Sequence, residues 1–146
     1  MKNLFILLLI SSAAISGCSE CDHGYGPDDC SSTWASFYVG NHEGSSTCCP
    51  GVQVLLTISE LGADELRFDD RFTAVLTEWD QFNVSEQTYQ NIVSGNNITV
   101  SGTGLLEVEQ ITNPSGQVTG KAYTLRMNMK YVTQGNTYNE LETYEW

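Results

Sequence analysis

Residues 122–131 alternate strictly in polarity. Tyr123, Leu125, Met127, Met129 and Tyr131 fall on one side, and Ala122, Thr124, Arg126, Asn128 and Lys130 on the other. A period of two is the geometry of a strand with one buried face. No window carries the 3.6-residue period of a capped helix. Further strand segments are expected at 34–39, 52–59, 65–69, 72–79, 81–89, 97–100, 105–111 and 138–144. The joints carry turn chemistry: Leu61-Gly62-Ala63-Asp64, Ser94-Gly95-Asn96-Asn97, Asn113-Pro114-Ser115-Gly116 and Gln134-Gly135-Asn136-Thr137. Gly and Asn tolerate the positive φ of tight hairpins, and Pro fits the second place of a turn. The expected fold is all-β: a single antiparallel β-barrel or β-sandwich of about eight strands. The apolar face of 122–131 then has two readings. Either it packs the core, or Tyr123, Leu125, Met127, Met129 and Tyr131 line a cavity for a small apolar ligand.

The 146 residues allow one domain. With 18 acidic and 6 basic side chains the formal charge is −12. Nucleic acid is excluded as a partner, because a phosphate ladder needs clustered Lys and Arg. Docking on anionic lipid through a basic patch is excluded likewise. A hydrophobic content of 40% calls for a packed core rather than disorder.

The N-terminus reads as an address. Met1-Lys2-Asn3 is short and positive, residues 4–10 are unbroken apolar, and small residues follow to Gly17. The apolar run is too short to span a bilayer as a stable helix. Its end, Ile15-Ser16-Gly17-Cys18, resembles the lipobox of bacterial lipoproteins. That resemblance implies a signal peptide over 1–17, a diacylglycerol on the Cys18 thiol and an acylated amino group. Two or three acyl chains hold a protein on a membrane stably. Loss of Lys2 with the leader would take the charge from −12 to −13. Glu20, Asp22, Asp28 and Asp29 then follow in a tether over 18–33, ahead of the domain at 34–146. They resemble the acidic tether that directs many Bacteroidota lipoproteins to the outer leaflet of the outer membrane. A solvated linker repelling anionic headgroups explains them equally well. Gly24, Gly26, Pro27 and the Ser31-Ser32 pair give the tether little to bury.

Four further cysteines, Cys21, Cys30, Cys48 and Cys49, are an even number, which in an exported chain reads as two disulfides. A bond between the neighbours Cys48 and Cys49 closes a strained ring. The expected pattern therefore joins Cys21 and Cys30 each to one of the adjacent pair, in either order. A metal site is the alternative, since His23 and His42 lie in the same segment. The spacing Cys21-x-His23…Cys30…His42…Cys48-Cys49 fits no usual structural zinc pattern, so no metal or other cofactor is expected.

From Trp34 onward the chain resembles small, mostly uncharacterised, lipocalin-like β-rich lipoproteins of Bacteroidota. Ser46-Thr47-Cys48-Cys49-Pro50-Gly51 precedes the strand at 52–58; Phe82-Asn83-Val84-Ser85-Glu86-Gln87, Val100-Ser101-Gly102-Thr103-Gly104 and a long strand ending at Tyr131 follow. The resemblance implies a fold and a location but no activity. The glycines at 102 and 104 lack the spacing and Lys of a phosphate loop and are expected to mark a bulge or bend. No nucleophile–base arrangement is visible. Acid pairs at Asp64-Glu65, Asp69-Asp70, Glu78 with Asp80, and Glu107 with Glu109 keep carbohydrate hydrolysis open by residue type. The face shared by Glu107 and Glu109 reads better as solvated, and Asp69-Asp70 beside Arg67 and Arg71 reads as a charged hairpin end. The expected function is thus a non-catalytic binding or structural module anchored to the envelope. Docking of an envelope protein on exposed aromatics such as Trp79, Tyr144 and Trp146 is a further possibility.

Overall fold

The computed structural model describes residues 23–25 and 31–146. Eight strands run in chain order: β1 (Gly40–Ser46), β2 (Gln53–Gly62), β3 (Glu65–Phe68), β4 (Phe72–Glu78), β5 (Gln81–Gln90), β6 (Asn97–Thr112), β7 (Val118–Thr133) and β8 (Asn136–Glu145). Each pairs antiparallel with its neighbours, and β1 pairs with both β2 and β8, which closes the sheet into a barrel. Of the two expected architectures, the barrel is the one formed. Within the closed wall each strand is paired on both sides, so the wall itself has no open edge.

The face assignment on β7 holds. Leu125, Met127 and Met129 are 0%, 0% and 1% exposed, while Arg126, Asn128 and Lys130 face solvent. Leu56, Ile58, Leu66, Phe68, Leu76, Phe82, Val84, Val100 and Leu106 belong to the same core. Full burial of such side chains contributes about 1.5–3 kcal/mol each. These buried side chains form one cluster inside the barrel.

Four differences from the sequence reading have local causes. Residues 34–39 are not a strand: Ala35–Phe37 forms one 3-10 turn. Its apolar positions 34, 35, 37 and 38 recur at three to four residues, and Ser36 bonds back to the Thr33 carbonyl and hydroxyl. Strand β1, Gly-Asn-His-Glu-Gly-Ser-Ser, has no apolar alternation to reveal it. Its inward residues are instead matched to large or polar neighbours. The His42 ring lies 3.9 Å from the Trp146 ring and its Nε2 donates to the Tyr38 carbonyl at 2.7 Å. Gly44 leaves room for Tyr144, and Ser46 donates to Glu140 at 3.1 Å. The segments at 97–100 and 105–111 are one strand, β6. Gly102 and Gly104 do not make a bulge there; they pair in regular register with β7. The irregularity lies opposite, on β5 between Val84 and Gln87. A Cβ on Gly104 would overlap the Phe82 ring, so glycine is required by close packing.

The two ends of the barrel differ. One end holds the 3-10 turn, the β2–β3 turn at Ala63 and Asp64, the β4–β5 turn at Trp79 and Asp80, and the C-terminus. Ala35 N donates to the Ala63 carbonyl, Tyr38 Oη to the Trp79 carbonyl, and Leu106 N to the Asp80 carbonyl. Part of the span expected as a loose tether belongs to this seal. Gly24 is buried against Ala63 and Asp64, Tyr25 bridges Thr33, and Trp34 N donates to the Gly24 carbonyl at 2.7 Å. Beyond Leu106 and Leu125, β6 and β7 pair chiefly with each other as a ribbon projecting past this closed end. The other end carries the β1–β2, β3–β4, β5–β6 and β7–β8 loops.

Candidate binding cleft at the open end

The sheet register brings the first residues of β8 and the last of β7 to the open end. Met129 pairs with Glu140, Met127 with Glu142, and Leu125 with Tyr144. Glu140, Glu142 and Tyr144 therefore continue the inward face of the barrel, while Leu141 points out. Together with Cys48, Arg71, Tyr89, Ile98, Tyr131, Thr133 and Tyr138, the two acids line an open cleft of about 420 Å³.

Glu142 is its floor. As a residue it is 7% exposed. Tyr131 Oη donates to Oε1 at 2.9 Å and Tyr144 Oη to Oε2 at 2.7 Å. Burial pushes this carboxyl above the usual carboxylate range. The two tyrosine bonds oppose the rise, and Glu140 and Asp69 add to it. Burial and the same carboxylate push the Tyr131 and Tyr144 hydroxyls up, so both stay protonated donors. Tyr89 is raised by its burial, with Arg71 pulling the other way. Asp69 and Asp70 adopt φ of 49° and 57°, making the tight β3–β4 hairpin. Its ion pairs, Arg71–Asp69 at 4.0 Å and Arg67–Asp70 at 3.8 Å, are the charged hairpin end expected from sequence. Arg71 thus enters the cleft already facing a carboxylate.

Of the five residues proposed to line a ligand cavity, Tyr131 alone reaches this cleft. Leu125, Met127 and Met129 pack the core, and Tyr123 lies toward the closed end, stacked on Trp146 at 5.8 Å. The aromatics proposed for docking are likewise placed otherwise. Tyr144 is buried, Trp146 stacks on Tyr123 and His42, and Trp79 packs against Phe37. The acid pairs singled out in sequence do not converge: Asp64 meets His23 at 3.2 Å and Glu107 meets Arg126 at 2.9 Å. Nor are the histidines brought to Cys48 or Cys49. His23 sits at the closed end, His42 inside the barrel, and Cys48 and Cys49 on the open rim; among the described residues no metal-holding cluster forms. Cys18, Cys21 and Cys30, with the signal peptide expected over 1–17, lie outside the described residues.

Sequence reading missed Glu140 and Glu142. The signal was present in Glu140-Leu141-Glu142-Thr143-Tyr144, where acids share a period-two face with a tyrosine and Leu141 stands alone on the other. Two depressions of about 350 and 360 Å³ also lie on the outer wall around Leu141, and neither contains a buried carboxylate. Comparison with protein-family models, with curated proteins and with solved structures finds no match.

Proposed function

We propose that the protein is a lipid-anchored envelope lipoprotein whose barrel is a non-catalytic binding module, with the open-end cleft as its binding site. The observation that carries this reading is Glu142: a buried carboxylate, held by two tyrosine hydroxyls, at the base of a cleft open to solvent. Its partners fix its orientation, and its walls are aromatic and apolar through Tyr89, Ile98 and Tyr138. Glu140, Glu142 and Asp69 outnumber Arg71, and the chain's net charge of −12 draws cations toward it. The fitting ligand is a small molecule with an ammonium or other donor group on a flat apolar body. Tyrosine faces favour such cations by about 0.5–2 kcal/mol. Carriage of an apolar ligand inside the barrel is less well supported, because the side chains that would line the chamber pack against one another.

The anchor gives the cleft an orientation. His23 docks at the closed end, and Cys18 precedes it by five residues. Lipid on Cys18 would hold the closed end toward an outer-membrane leaflet and turn the mouth away from it. Two experiments test the reading. Fatty-acid labelling should mark the parent protein and fail for Cys18→Ser; a variant that still labels and partitions into detergent removes the anchor. Titration with tryptamine, an aromatic ammonium, should saturate, while indole-3-acetate, with the same ring and opposite charge, should bind at least about tenfold more weakly. Glu142→Gln should erase that preference. Equal binding of the two probes by the parent protein would refute the cleft as a cation site.

A further inference from the structure

Cys48 and Cys49 stand side by side on the rim, in the turn that joins β1 to β2. Cys49 N donates to the Ser46 carbonyl, Val52 N to the Cys49 carbonyl, and Gly51 takes φ of 81°. The turn is therefore closed by its own backbone bonds. Both thiols are exposed and in no disulfide, and Cys48 Sγ donates to Cys49 Sγ at 2.9 Å. A disulfide of about 2.05 Å needs those sulfurs to approach by only about 0.9 Å.

The alternative partners are at the far end of the barrel. The chain is fixed at His23 and Gly24, against Asp64 and Ala63, and again at Thr33, which bridges Tyr25. Cys21 is three residues from Gly24, and Cys30 three from Thr33. Three residues reach at most about 11 Å, and a disulfide spans at most about 6.8 Å between Cα atoms. The combined reach is about 18 Å. Strand β2, the path from the cysteine turn to Ala63, has 10 residues. At roughly 3.3 Å per residue it is about 30 Å long. Neither tether cysteine bridges that gap while the closed end is sealed. Ring strain, which weighed against a neighbour bond on sequence grounds, is thus set against a span that covalent geometry does not allow.

We infer that Cys48 and Cys49 bond to each other, forming a reversible vicinal disulfide on the rim of the cleft, and that Cys21 and Cys30 are left to one another. The oxidant is an external disulfide RSSR, either a small thiol's or an oxidoreductase's. One rim thiolate attacks a sulfur of RSSR and expels RS⁻; the neighbouring thiolate attacks the mixed disulfide and expels the second RS⁻. The pair loses two protons and two electrons, and RSSR leaves as two RSH. Exposure and ring strain make such a bond easy to reduce. Because Cys48 lines the cleft, its redox state changes the rim across which a ligand enters.

Cleavage after Glu43 and Glu60 separates the two cysteine pairs, placing Cys21 and Cys30 in one peptide and Cys48 and Cys49 in the other. The full chain, isolated without reductant, is treated with oxidised glutathione, blocked with N-ethylmaleimide, digested and weighed. The expected result is a 44–60 peptide two hydrogens lighter than its reduced form, carrying no maleimide, no glutathione and no second peptide. A peptide cross-linked to the 21–43 segment overturns the inference. So does a 44–60 peptide that remains doubly alkylated. Cys48→Ser supplies an independent check. It should expose one maleimide-reactive thiol, at Cys49, and leave the 21–43 peptide unlabelled; label appearing in 21–43 contradicts the pairing.

Discussion

The closed and open ends of this barrel are built from different materials. At the closed end, Tyr38 is fully buried, sets its ring edge-on to Phe82 at 5.9 Å and donates to the Trp79 carbonyl. Ala35, Gly24 and Trp34 complete a seal of backbone bonds and apolar contacts. At the open end the inward positions include Glu140, Glu142 and Tyr131, and the β5–β6 loop exposes Ile92 and Val93 almost completely. The same period-two wall thus ends in a hydrophobic plug on one side and a charged, hydrogen-bonded cleft on the other. Apolar packing closes one end, and the buried acid to which we assign binding stands toward the other.

The largest effect should come from the plug. Tyr38→Ala removes a fully buried aromatic and should cost about 3–5 kcal/mol in denaturant unfolding. A loss below about 1 kcal/mol would mean that the closed end is not where stability resides. Next comes the packed middle that separates the two ends. Gly104→Ala drives a methyl into the Phe82 ring and should cost about 1–3 kcal/mol, through overpacking. A neutral outcome would reveal slack in the interior and reopen it to ligands.

At the open end the expected effect is a change in pH dependence. Folding raises the Glu142 carboxyl, so the folded chain keeps a proton that the unfolded chain has already released. Stability therefore falls as pH rises from the ordinary carboxylate value through the raised one, and Glu142 carries no such penalty below that window. Glu142→Gln should lack this slope. Its stability relative to the parent should improve across the window and then level off, measured by urea unfolding at a series of pH values. A constant difference would place Glu142 in water rather than in the cleft floor. The smallest effect belongs to the rim: Tyr138→Ala, at a side chain 47% exposed, should change stability by less than about 0.5 kcal/mol.

Where burial alone selects the residues, the sequence was transparent. The 122–131 alternation identified the inward face of β7, and the Gly and Asn clusters located most of the hairpins. Legibility failed where tertiary partners replace hydrophobicity. Strand β1 is invisible to periodicity because His42, Gly44 and Ser46 face inward for reasons that lie on Trp146, Tyr144 and Glu140. The cleft is hidden for the same reason. Glu140 and Glu142 look like solvent-facing acids until the register with Met129 and Met127 puts them on the inner face. Trp34, Ala35, Phe37 and Tyr38 misled in the opposite direction, since an apolar run that plugs a barrel has the composition of a strand. A short run of mixed spacing does not distinguish the two.

The central claim is that ligand chemistry is confined to the mouth because the barrel behind it is filled. The direct test is a methyl-resolved NMR titration of the full chain with tryptamine, following Ile98 in the cleft wall and Met127 and Leu125 in the core. The expected result is a saturable shift of Ile98 with Met127 and Leu125 unmoved. Saturable shifts of Met127 and Leu125 would show the probe inside the barrel and contradict the account.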